Sequence, residues 1–152
     1  MRVKNLVTVA TLLIICSASA FAQDKGMWMA ASSSAKSITG DIAIADARLT
    51  LDYLNFPIGQ IRVLQAAEAS ALFDADVNAP GGGSLYRVAV SADRRFLHKN
   101  TLCGSEDVQW MVTWVQGRTL SVAFFSGANP PVFSMDALSS TTDRCGTFLY
   151  AR

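Results

Sequence analysis

An all-β domain, either a small antiparallel barrel or a two-sheet sandwich with room for one short helix, is the fold this sequence predicts. Three observations predict it. Apolar side chains recur at period two in several short runs, Gly and Pro clusters separate those runs, and one stretch, Val108 to Ser126, has the full pattern of a hairpin.

The first 22 residues stand apart from that pattern. Arg2 and Lys4 precede an apolar run from Leu6 to Cys16, and Ala20-Phe21-Ala22 then offers small-x-small residues before polar Gln23-Asp24-Lys25. This is the order of a secretory signal peptide, with cleavage expected after Ala22. The run is shorter than the roughly 20 apolar residues of a spanning helix and is interrupted by Thr8 and Thr11, so a retained anchor is disfavoured. Lipidation at Cys16 is disfavoured by the bulky Ile14-Ile15 before it and by Ser-Ala-Ser-Ala after it. The organisation expected is a signal peptide over 1–22 and one β domain over 23–152, placed in the periplasm or the medium.

Along 23–152, Ile38, Gly40, Ile42 and Ile44 alternate with Thr39, Asp41 and Ala43, and Leu49, Leu51 and Tyr53 alternate with Thr50 and Asp52; the two runs predict a hairpin. Phe56-Pro57-Ile58-Gly59 is expected to interrupt, followed by a short strand from Ile61 to Leu64. Gln65 to Leu72, rich in Ala and containing Glu68, favours one or two helical turns. Asn78 to Ser84, with Pro80 and three glycines, predicts a loop, and Tyr86, Val88 and Val90 mark the next strand. In the Val108–Ser126 hairpin, Trp110, Val112 and Trp114 share one face of the first arm. Gln116-Gly117-Arg118 turns the chain, and Leu120, Val122 and Phe124 share one face of the second arm. Pairing of those two faces is the expected source of core packing. Gly127 to Pro131 breaks the pattern before a last strand from Gly146 to Tyr150, with Phe148 and Tyr150 on one face.

Removing the signal peptide changes both the charge and the cysteine count. It takes two of the 13 basic residues and none of the 12 acidic ones, leaving a net charge near −1. No strong field for nucleic acid results, and the densest basic stretch, Arg94-Arg95-Phe96-Leu97-His98-Lys99, is short and follows Asp93. Cysteines fall from three to two, Cys103 and Cys145, which are expected to pair in an oxidising compartment. Closing a loop of about 43 residues stabilises the fold by about 4 kcal/mol in the chain-entropy model. There is no CxxC, and His98, the only histidine, cannot complete a zinc site alone, so no metal or other cofactor is expected.

Candidate chemistry is sparse. Any imidazole-based hydrolysis must use His98, and no G-x-S-x-G elbow supplies a nucleophile. Asp74-Ala75-Asp76-Val77-Asn78 begins like a calcium loop, but Ala79 and Leu85 stand where its glycine and glutamate belong. The Gly81-Gly82-Gly83 run lacks the lysine and helix of a phosphate loop. Asn100 is suited to an Asx turn or strand cap, with a polar patch shared with Ser105, Glu106 and Asp107 as the functional alternative.

The segments Asn100-Thr101-Leu102-Cys103-Gly104, Val122 to Gly127 with Pro130-Pro131, and Cys145 to Tyr150 together resemble a pattern of small exported bacterial proteins. The resemblance covers roughly the last half of the chain. It implies export and carries no activity. Periplasmic lysozyme inhibitors are similar only in architecture, since Ser126-Gly127 is followed by Ala128-Asn129-Pro130 rather than by a tyrosine and a basic residue.

Three functions remain open. The first is a monomeric, non-enzymatic binding protein for a protein or envelope component, inhibitor-like in one form. Its expected contact residues are Asn100, Ser126, Gly127, Asn129, Pro130 and Pro131, because the prolines limit the entropy lost on binding. The second is a carrier of a small apolar ligand inside a barrel lined by Trp28, Trp110, Trp114 and Phe124. The third is a hydrolase built on His98.

Overall fold

A computed structural model describes residues 23–152; the expected signal peptide, 1–22, lies outside the described residues. Eight antiparallel strands close into a barrel in which each strand neighbours the next and the last returns to the first. They are β1 (Gly26–Ala30), β2 (Ile42–Ile44), β3 (Arg48–Leu51), β4 (Leu54–Val63), β5 (Ser84–Val90), β6 (Val108–Gln116), β7 (Thr119–Phe125) and β8 (Arg144–Ala151). Of the two architectures allowed by the sequence, the barrel is the one present. Two short helices accompany it where one was expected: α1 (Ala66–Phe73) and α2 (Met135–Ser140). The Cys103–Cys145 disulfide is formed.

Alternation places one side chain of each pair inside. Trp28, Ile42, Leu51, Val122, Phe124 and Tyr150 are all solvent-free in a single interior cluster, as eight strands enclose a space that side chains fill. A π-helical turn, Ala35–Thr39, caps one end, and Phe96 and Leu102 from the β5–β6 connection complete the cap. At that end Tyr150 Oη and Thr39 Oγ1 lie 2.6 Å apart.

The barrel wall corrects the expected face pairing of the long hairpin. Trp110 stands opposite Phe125, Val112 opposite Ala123, and Trp114 opposite Ser121, whereas Leu120, Val122 and Phe124 face Val115, Thr113 and Met111. The turn between β6 and β7 sets this register, so the two tryptophans lie on the outer face. There they join a second buried cluster, covered by Leu64, Ala69 and Leu72 from the α1 side and by Phe133 and Leu138 from the α2 side. Trp110 Nε1 donates to Gly127 O at 3.1 Å, whereas Trp114 Nε1 is enclosed without a partner.

Three other expectations change. Ile38 belongs to the π-helical turn, because Ile38 and Ile42 fit a helical spacing as well as a strand one, and Gly40, at φ 61°, starts the strand only afterwards. Phe56-Pro57-Ile58-Gly59 does not interrupt. Pro57 pairs with Arg48 at the last position of the β3 ladder, just before the β5 ladder begins at Ile58, so the missing N–H falls between the two ladders. The short strand expected from Ile61 is therefore the end of β4. Neither β1 nor α2 was expected: β1 has only five residues, and α2 is announced only by Ser134, whose hydroxyl accepts from Ala137 N at 3.2 Å.

Two outcomes follow from this packing. Trp110→Phe and Trp114→Phe remove the same ring volume, but only Trp110 loses a hydrogen bond; its variant should be less stable than the Trp114 variant by about 1 kcal/mol in urea denaturation. Burial is the main reason that the hydroxyls of Tyr86 and Tyr150 ionise well above their ordinary value of 10.0, with Asp24 adding to it for Tyr86. The folded-state values are raised, so their contribution is complete below pH 10 and is lost as pH rises and the unfolded chain ionises. Urea midpoints should fall above about pH 10, with a shallower fall in Tyr150→Phe.

Candidate functional site

The capped end of the barrel carries an open groove of about 400 Å³, bordered by Met27, Lys36, Asp41, Asp52, Tyr53 and Leu97 among others. Local sequence explains its shape. β3 and β4 are joined by the two-residue turn Asp52-Tyr53, a connection that requires positive φ at both positions and ordinarily uses Asn-Gly. Here φ is 44° at Asp52 and 62° at Tyr53. His98 and Lys99, next to Leu97, repeat the condition at 55° and 62°. Left-handed backbone costs about 1–2 kcal/mol per residue that has a Cβ, somewhat less for Asp. Two strained turns therefore flank the groove, and such strain concentrates at functional surfaces.

The π-helical turn holds both strained turns in place. Asp52 N donates to Thr39 O at 2.9 Å, and Asn100 Nδ2 donates to Ser37 O at 2.9 Å. Gly40 lets Leu97 approach, since a Cβ there would stand 3.2 Å from Leu97 Cδ1. Asp41 accepts from Ala30 N at 2.8 Å, tying β1 to the start of β2. Tyr53 is left 94% exposed and Met27 67% exposed, beside the charges of Lys36 and Asp52. An apolar recess next to a protruding aromatic ring suits a protein surface.

The expected contact residues separate into two places. Ser126, Asn129, Pro130 and Pro131 do come together, lining a smaller groove of about 240 Å³ against Ala137 and Ser140 of α2. Gly127, at φ 87°, adjoins it because a Cβ there would meet Asp143 Oδ2 at 2.7 Å. Asn100 is not part of that groove. Its amide is used on Ser37 O, and Asp107 accepts from Ala92 N at 2.7 Å, so these two side chains brace loops.

The aromatic set expected to line a carrier's interior is divided by the barrel wall. Trp28 and Phe124 are inside and packed, and Trp110 and Trp114 are outside under the helices. Among the described residues no hydrogen bond joins His98 to a carboxylate or hydroxyl, and no group of three His, Cys, Asp or Glu side chains is placed to hold a metal ion. Tyr53 and Met27 escaped sequence reasoning because a period-two pattern assigns faces without showing which outward side chains lack cover. A readable signal was the pair Asp52-Tyr53, two residues between alternating runs where Asn-Gly is usual. No family model, curated protein or solved structure matches the chain.

Relieving the strain at Tyr53 should stabilise the fold. Tyr53→Gly should raise the urea midpoint, by about 1 kcal/mol of stability, whereas the same change at exposed Leu149 in β8, where φ is not positive, should lower it.

Proposed function

We propose that this is an exported, non-enzymatic binding protein that engages another protein through the groove beside Tyr53. The observation that carries the reading is a tyrosine 94% exposed on a strained two-residue turn, beside an open apolar groove, in a barrel whose interior is filled. Tyrosine supplies a large contact area at small entropic cost, and the turn fixes its backbone in advance. The partner is a protein surface offering an apolar side chain to the recess beside Met27 and a basic group to Asp52, with Lys36 setting register at the other margin. Export to the periplasm or the medium belongs to the same proposal. It is supported by the disulfide.

The carrier and hydrolase readings find less support. A carrier needs a ligand-sized space where Trp28, Phe124 and their neighbours are packed, and hydrolysis needs a partner for His98. The test uses immobilised protein and envelope extract of the source organism, with captured proteins quantified by mass spectrometry. A partner should be retained by wild type and by Pro130→Ala, and lost with Tyr53→Gly, whose fold is expected to be intact. Identical recovery by wild type and Tyr53→Gly would overturn the proposal.

A further inference from the structure

The end of the barrel opposite the Tyr53 groove carries a second, independent feature. Asp24 is 3% exposed, and its Oδ2 accepts from Tyr86 Oη at 2.7 Å and from Thr113 Oγ1 at 2.6 Å. No described donor reaches Oδ1, and no described cation pairs with the carboxylate. Asp24 lines a cavity of about 450 Å³ together with Gln60, Val63, Leu64 and Ser84.

Gln23, Lys25 and Asp46 complete its polar lining. Gln60 Nε2 is used on Ser84 Oγ at 3.0 Å, which leaves Gln60 Oε1 free to accept. Lys25 lines the same cavity but its ammonium is engaged by other groups: Nζ donates to Ala45 O at 3.2 Å, lies 3.8 Å from Asp46 Oδ1 and sits 4.9 Å from the centre of the Tyr86 ring. A buried carboxylate with two hydroxyl donors and no ion pair among the described residues favours a cation. A calcium ion would need six to eight oxygens, which one buried carboxylate and one amide do not supply. Val63 and Leu64 instead offer apolar surface to an alkyl stem.

We propose that this cavity binds a small primary alkylammonium compound, the ammonium donating to Asp24 Oδ1 and Gln60 Oε1 and the alkyl stem lying on Val63 and Leu64. Charge-assisted hydrogen bonds to a partly buried carboxylate give the head its selectivity over a neutral hydroxyl. The site is independent of the Tyr53 groove and stands or falls separately from it.

Isothermal titration with 1,5-diaminopentane tests the proposal, with 1,5-pentanediol as the neutral control. Saturable one-to-one binding of the diamine is expected, with binding of the diol weaker by at least about tenfold. Asp24→Asn should abolish it. Because that change also disturbs the Tyr86 and Thr113 bonds, Val63→Lys serves as the second variant: it leaves Asp24 untouched and places a fixed ammonium at the exposed rim, and should weaken binding by at least about tenfold. Absence of diamine binding by wild type, equal binding of the diol, or undiminished binding by Val63→Lys would overturn the proposal. Binding seen only in a form that retains residues before Gln23 would assign the cavity to the chain's own terminal ammonium, and would overturn it too.

Discussion

Closure of the barrel depends on its shortest ladder. β1 and β8 meet at two register pairs, Met29 with Ala151 and Ala30 with Tyr150, and without them the other seven ladders would form an open sheet with two exposed edges. The seam is reinforced from both ends. Above it, Ala31 N and Ser32 N both donate to Leu149 O, and below it the Arg152 guanidinium stacks 4.1 Å from the centre of the Trp28 ring while donating to Lys25 O and Gln23 O. Trp28 in turn donates to Asp24 O from inside the barrel. The filled interior, the separate outer cluster and the distinct ends of the molecule all presuppose this closed seam.

A closed wall gives each strand two environments, and β6 and β7 use both. Met111 and Phe124 pack inside, while Trp110 and Phe125 pack outside beneath the helices, so the hairpin is buried on both faces. β1 to β3 lack helices over their outer face. Met27 and Tyr53 remain exposed there, which is why the groove forms on that side of the capped end.

Sequence patterning revealed most of the scaffold and little of the site. Tyr86, Val88 and Val90, Leu120, Val122 and Phe124, and Phe148 with Tyr150 were all legible as rows sharing one face, and each of these rows lies inside the barrel. Patterning failed at Ile38, where four residues fit two periods, and at Pro57, whose place between two ladders depends on where the neighbouring strands end. The pairing of Trp110 with Phe125 rather than with Phe124 depends on a register that composition does not carry. The prolines at 130 and 131 drew attention because their local chemistry is distinctive; the exposure of Tyr53 depends on what does not cover it, which is a property of the whole fold.

The contact between Arg152 and Lys25 spans 127 residues of chain. Loop-closure entropy must be met before such a contact contributes, and topologies dominated by distant pairings fold slowly. The seam strand β1 therefore waits for β8: until those two meet, the chain holds hairpins and an open sheet, with both edges still free to pair elsewhere.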